Sequence, residues 1–261
     1  AGGPYYCAEG SITQAMVACM YVPSSDISKL IKAAQDFADK KYIDSLDHLS
    51  GSRVYLYSGS KDTVVNPTIV HNAEKWYQTF NANTHGDYST PSQHCIPTKN
   101  YGNQCELLMS PFINKCDVPG AENALRWIYG DYINNTTEAV PTNLESFDQH
   151  EFHADGLASQ GYIYVPTACR NGAKCALHIS FHGCAQNYDT TKGAYVQHAG
   201  FNEVAEANNI IVIYPQATKI FLKNPEGCFD WWGYASKDYA FKTGPQMDAV
   251  YRMMKRVMGS N

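Results

Sequence analysis

The sequence predicts an α/β fold with a mostly parallel central sheet and helices on both of its faces. Three observations predict it. Short β-rich runs bounded by Gly or Pro read as buried strands that end in loops: 53–58 (RVYLYS), 176–181 (ALHISF) and 210–214 (IIVIY). Segments with apolar residues at helical spacing lie between them, and strands alternating with helices indicate a parallel sheet. The chain has 261 residues, 44% of them hydrophobic, so it can bury a substantial core. In such sheets ligands sit at the C-terminal ends of the strands, so the loops that follow strands are where chemistry is sought.

Each element has its own signal. A helix is expected over 27–41, with Asp26 as its N-cap. The 53–58 strand follows and runs into Gly59-Ser60-Lys61-Asp62. Asn66 and Pro67, a cap followed by a first-turn proline, open a helix over 67–80. The segment 120–132 places Ala, Leu, Trp and Ile on one helical face. A strand over 162–165 precedes the 176–181 strand, which runs into His182-Gly183-Cys184. A helix over 202–208 leads directly into the 210–214 strand, which ends at Pro215-Gln216-Ala217, and an amphipathic helix over 244–258 closes the chain. Ala1-Gly2-Gly3-Pro4 reads as the end of a strand plus its turn, so further elements are expected ahead of it.

Composition narrows the function. Net charge is −5 and no basic run occurs, which argues against nucleic acid, because phosphate binding needs clustered Lys and Arg. No apolar stretch approaches the roughly 18 residues of a membrane span. Aromatic content is 13%, including 19 Tyr, which suits either an apolar or polymeric ligand or the core. No pair among the nine cysteines has the C-x-x-C spacing of a zinc or redox site. Local bridges are expected instead: Cys7 with Cys19, Cys105 with Cys116, and Cys169 with Cys175. Cys184 is expected to pair with Cys228, leaving Cys95 free. This framework implies an oxidising compartment, secreted or periplasmic; buried free thiols are the alternative. Asn134 and Asn135 open overlapping N-x-T sequons, relevant only if the source glycosylates. Nothing marks an interface, and a monomer is expected.

Four loops carry the chemistry. Asp62 stands after the 53–58 strand, where it could orient a catalytic imidazole or merely cap the next helix. His94, about 30 residues on and closed by Pro97, is the candidate base, with His85 and His182 as rivals. Phe181-His182-Gly183-Cys184 ends a strand in a turn suited to an oxyanion donor, with the Cys184 amide as that donor, or to a plain structural role. Trp231 and Trp232, in Cys228-Phe229-Asp230-Trp231-Trp232-Gly233, read as a ligand-contacting surface, unless one of them is buried. No G-x-S-x-G nucleophile elbow occurs. Ser159 comes closest, but Leu157 occupies the first Gly position and a strand follows it, where an elbow follows a strand and opens a helix. Cys184 and Cys95 are poor nucleophile candidates, one bridged and the other adjacent to the base.

Several segments together resemble the secreted, fungal-type poly(3-hydroxybutyrate) depolymerases, a circularly permuted α/β-hydrolase family. They are Ala1-Gly2-Gly3-Pro4-Tyr5 with Cys7 and Cys19, Gly59 to Asp62, His94 to Pro97, Cys105 and Cys116, and Leu125 to Gly130. Gly161 to Pro166, His182 to Cys184, Tyr214 to Ala217 and Gly227 to Trp231 complete the set, in order along nearly the whole chain. The resemblance implies Asp62 as triad acid, His94 as base, the Cys184 amide as one oxyanion donor and Trp231 as a substrate contact. It implies a serine esterase acting on polyesters of short hydroxy acids, with no metal or organic cofactor. It also implies that the nucleophile elbow precedes Ala1, so residues 1–261 are expected to form a single catalytic domain that is incomplete at its N-terminal end. A feruloyl, acetylxylan or aromatic-polyester esterase on the same fold, and a non-catalytic polymer-binding relative, are the alternatives.

Overall fold

The computed structural model describes residues 3–24 and 26–259. Ala1 and Gly2, the start of the expected strand end, lie outside them.

In chain order the elements begin with α1 (Ile12–Met16), which continues as a π-helical turn (Val17–Tyr21), and α2 (Ser28–Asp39). Asp26 accepts from the Ser28 amide at 2.8 Å, one position ahead of the formal cap at Ile27. Strand β1 (Arg53–Tyr57) leads to α3 (Pro67–Thr79), where Asn66 Oδ1 accepts from Thr68 N and Pro67 opens the first turn, as the sequence indicates. Next come β2 (Asn83–Asp87), the short strands β3 (Ile96–Thr98), β4 (Asn103–Gln104) and β5 (Ile113–Lys115), and α4 (Gly120–Tyr129). The second half holds β6 (Leu144–Asp148), β7 (Gln160–Tyr164), α5 (Thr167–Arg170), β8 (Ala176–Ile179), α6 (Tyr188–Thr191) and α7 (Ala194–His198). It ends with α8 (Phe201–Asn208), β9 (Ile210–Tyr214) and α9 (Pro245–Val257).

The pairing is mostly parallel. β1 pairs with β2, β5 with both β3 and β4, and β8 with β9, all parallel; β7 is antiparallel to β6 and to β9. Among the described residues the strands form three sheets, β1-β2, β3-β5-β4 and β6-β7-β9-β8. No strand pairs β1 to β8 there; α4 connects the two regions instead. Tyr129 Oη donates to the Leu177 carbonyl of β8, and Arg53 Nη1 of β1 donates to the Trp127 carbonyl.

Helices cover both faces of the larger sheet because strand side chains alternate. Ile210, Val212 and Tyr214 of β9 pack with Leu125 of α4, Tyr195 and Val196 of α7, and Val204 and Ala205 of α8. Phe147 of β6 and Ile179 of β8 pack instead against Ala249, Val250 and Met253 of α9. The β1-β2 sheet is treated likewise: Val54 and Leu56 meet Ile69, Val70 and Ala73 of α3, while His85 lies between Tyr55 and Trp127 of α4. Four disulfides join Cys7 to Cys19, Cys105 to Cys116, Cys169 to Cys175 and Cys184 to Cys228, and Cys95 is free. Among the described residues no helix is long and apolar enough to cross a membrane.

Candidate active site

Asp62 and His94 meet because the β1-β2 pairing continues past the strand ends. Ser58 N donates to Asp87 O, Ser60 N to Thr90 O and Lys61 N to Ser92 O, at 2.8–3.1 Å. Tyr57 Oη and Ser92 Oγ lie 2.6 Å apart. Beyond the pair, Gln93 Oε1 accepts from both the amide and the hydroxyl of Thr63. Asp62 and His94 are therefore held in register from both sides. Gly59 lies within this seam: a Cβ there would stand 2.2 Å from the Ser92 carbonyl oxygen, so only glycine allows the approach.

His94 Nδ1 lies 2.8 Å from Asp62 Oδ2. Asp62 Oδ1 accepts from the amides of Val64 and Val65, each at 2.8 Å. One oxygen of the carboxylate thus orders the turn ahead of α3 and the other meets the imidazole; α3 itself is capped by Asn66, so the helix-capping reading of Asp62 is corrected. The Asp62 side chain is 6% exposed and that of His94 44%, so the acid is enclosed while the ring faces solvent. With Nδ1 donating to the carboxylate, Nε2 is the basic nitrogen. Among the described residues nothing bonds to it.

The rival histidines are engaged elsewhere. His85 stacks on Tyr55 and meets Trp127 at a tilt. His182 is buried; its Nδ1 donates to Gly183 O at 2.7 Å and its Nε2 accepts from Ala217 N at 3.0 Å. Burial pushes its pKa down to about 4, the Gly183 bond opposing only in part, so the ring is neutral near pH 7. It fastens the His-Gly-Cys turn to the Tyr-Pro-Gln-Ala turn. Cys95 is half-buried, and burial, aided by the nearby Asp62 charge, pushes its thiol up to about 11. A protonated thiol is a poor nucleophile. Ser159 is exposed at the entry to β7, with its carbonyl taken by Gln149 N.

Around the His-Gly-Cys turn, Gly183 N donates to Gln186 Oε1, Ala185 N to Glu226 O, and Gln186 N to Gly183 O. Among the described residues the Cys184 amide has no acceptor, and Cys184 is exposed. The bridge to Cys228 anchors the turn to the aromatic loop. There the two tryptophans part. Trp232 is 9% exposed and packs with Ala8, Ala15, Cys19 and Cys228, so its expected place on a ligand-contacting surface is corrected to the core. Trp231 is half-buried and meets Trp232 edge-on at 5.6 Å. Asp230 fixes this loop by accepting from the amides of Gly233, Tyr234, Ala235 and Ser236. Sequence reasoning passed over Ser92, Gln93, Gln186 and Asp230. Only the adjacency of Ser92 and Gln93 to His94, and of Asp230 to Trp231, hinted at them.

No protein-family model matches the sequence. A poly(3-hydroxybutyrate) depolymerase of Delftia acidovorans is 38% identical over 264 residues, covering 98% of this chain, which spans about half of that relative's length (53%). Among solved structures, a PHB depolymerase from Penicillium funiculosum superposes with a TM-score of 0.90 at 31% identity, covering 100% of this chain and 86% of that one. A serine-to-alanine variant of a PHB depolymerase, complexed with an R3HB trimer, gives 0.89 at 31% identity, with coverages of 99% and 86%. A polyhydroxybutyrate depolymerase of Talaromyces funiculosus is 33% identical over 275 residues, covering 99% of this chain and 80% of that relative. With the fold shared at this level and the likeness running along nearly its whole length, this chain belongs to the polyhydroxybutyrate depolymerase family.

Proposed function

We propose that residues 1–261 carry the acid, the base and one oxyanion donor of a secreted serine esterase that hydrolyses polyesters of short hydroxy acids such as poly(3-hydroxybutyrate). The observation that carries this reading is the His94–Asp62 pair, an imidazole with Nδ1 on an enclosed carboxylate and Nε2 open to solvent.

In this reaction a serine attacks the ester carbonyl as His94 Nε2 takes its proton. Asp62 accepts from Nδ1–H, fixes the tautomer and stabilises the imidazolium. The Cys184 amide donates to the oxyanion. As the intermediate collapses, the imidazolium returns its proton to the leaving alcohol. Water, deprotonated by His94, then releases the hydroxy acid from the acyl-enzyme. The chemistry calls for no metal or organic cofactor. The serine belongs to an elbow outside residues 1–261, a reading supported by the lack of G-x-S-x-G and by the serine replacement in the trimer-bound neighbour. Trp231 contacts the substrate. The chain works as one catalytic domain and as a monomer, without nucleic acid or membrane partners. Secretion is supported by the four disulfides.

Fluorophosphonate labelling of the full-length natural protein tests the reading, together with clearing of a poly(3-hydroxybutyrate) suspension. Labelling at a serine outside 1–261 and loss of turbidity are expected. Absence of labelling overturns the esterase. Labelling with hydrolysis of soluble nitrophenyl esters but no clearing moves the substrate to another ester class.

A further inference from the structure

Gln186 lies two residues beyond the proposed oxyanion donor and is 6% exposed. Each end of its amide has a task. Oε1 accepts from Gly183 N at 2.9 Å. Nε2 donates to the carbonyls of Pro111 and Phe112, at 3.1 and 3.0 Å. The Phe112 carbonyl also accepts from the amide of Ile96, two residues after His94, at 2.9 Å. One carbonyl therefore joins the loop of the base to a side chain that grips the oxyanion turn, across some 90 positions of sequence.

The grip also selects which amide is left open. With Gly183 N held by Gln186, Ala185 N by Glu226 and Gln186 N by Gly183 O, the Cys184 amide is the one from Gly183 to Gln186 left unassigned among the described residues. The approach is close enough that a Cβ on Gly183 would stand 2.8 Å from Gln186 Oε1.

We propose that Gln186 is a positioning residue that sets the oxyanion turn in register with the His94 loop. The proposal deepens the esterase reading of the site and rests on it. Oxyanion donors act through placement, and an error of about 1 Å costs on the order of 100-fold in rate. Displacing the turn should therefore weaken binding of the tetrahedral state and leave ground-state ester binding nearly as it was.

The test uses the full-length protein with Gln186→Glu and Gln186→Leu. The Glu variant keeps the acceptor for Gly183 N but sets a carboxylate against two carbonyls; the Leu variant removes both contacts. Expected are a kcat on a soluble nitrophenyl ester lowered by roughly 10- to 100-fold, KM within about twofold, and an equal loss of affinity for an alkyl boronic acid. Amide exchange should quicken at Gly183 and at Ile96 together, although Ile96 and Gln186 are linked only through the Phe112 carbonyl they share. Folded variants with normal kcat and boronate affinity overturn the proposal, as does a KM rise that accounts for the whole loss. If the Leu variant does not fold, the Glu variant decides. If the unaltered protein neither labels nor binds boronate, the esterase reading fails, and unlinked exchange at Gly183 and Ile96 then sinks the brace on its own.

Discussion

Asp62 commits both oxygens, Oδ1 to the Val64 and Val65 amides and Oδ2 to His94 Nδ1. An asparagine in its place can keep the amide bonds only by turning its NH2 toward the imidazole, which drives the ring to the tautomer with its proton on Nε2. That nitrogen can no longer accept from a serine. Asp62→Asn is therefore expected to lower kcat by about three to four orders of magnitude with KM little changed; near-normal turnover on a nitrophenyl ester would remove Asp62 from the mechanism. Cys95, adjacent to the base, stays a thiol at neutral pH, because burial holds it near 11. The folded protein should resist iodoacetamide at pH 8, and Cys95→Ala should retain activity within about twofold. Rapid alkylation with loss of activity would contradict this. Asp62 and Cys184 were singled out because each stands in a loop just after an apolar strand, 53–58 or 176–181, and His94 because it lies downstream of Asp62 in a loop closed by Pro97. Gln93 and Gln186 were not legible, since a glutamine in a loop carries no local signal of what lies across from it. Trp231 and Trp232 could not be told apart because an irregular loop has no period to assign one neighbour to the core.

The β1-β2 seam is the element that makes the dyad. Gly59→Ala would force the Ser92 carbonyl away, and Ser92 stands two residues before His94. This variant is expected to lose about 100-fold in kcat while its far-ultraviolet circular dichroism stays native; full activity would mean that the seam does not set the register. The Cys184–Cys228 bridge joins residues 44 apart, and chain entropy at that separation gives a stabilisation of about 4 kcal/mol. Replacing both cysteines with Ala should lower the midpoint of urea unfolding accordingly and reduce kcat as the Cys184 amide loses its anchor; an unchanged midpoint would show that the hydrogen bonds around Asn224 and Asp230 suffice. Strands 53–58, 176–181 and 210–214 were readable as apolar runs, and the longer helices from spacing and caps. β2 was not, because Asn83-Thr84-His85-Gly86-Asp87 has no apolar alternation and Thr84 alone is β-branched. β6 was missed because its residues are largely solvent-facing on an antiparallel edge, and β3 to β5 because two or three residues carry no period.

For the molecule as a whole, acid is the condition its interior is least built for. His182 is buried and His178 half-buried, and desolvation pushes each down to about 4 from an ordinary 6.5. His182 cannot take a proton on Nε2 and still accept from Ala217 N. His178 lies against the Tyr129 hydroxyl and the Phe201 ring, and among the described residues no carboxylate bonds to it. In the unfolded chain both rings bind protons below pH 6.5; in the folded chain they do not until near pH 4. The unfolded state therefore holds more protons through this window, and stability falls as pH falls. Each ring contributes a slope of at most about 1.4 kcal/mol per pH unit, so unfolding free energy measured in urea should drop by up to about 2.7 kcal/mol per unit between pH 6 and 4.5. His178→Gln, which cannot ionise, should remove about half of that slope and leave the His182 part. A free energy that stays level from pH 7 to 5, or a slope untouched by the substitution, would show that these rings accept protons in place, and the neutral link between the His-Gly-Cys and Tyr-Pro-Gln-Ala turns would go with it.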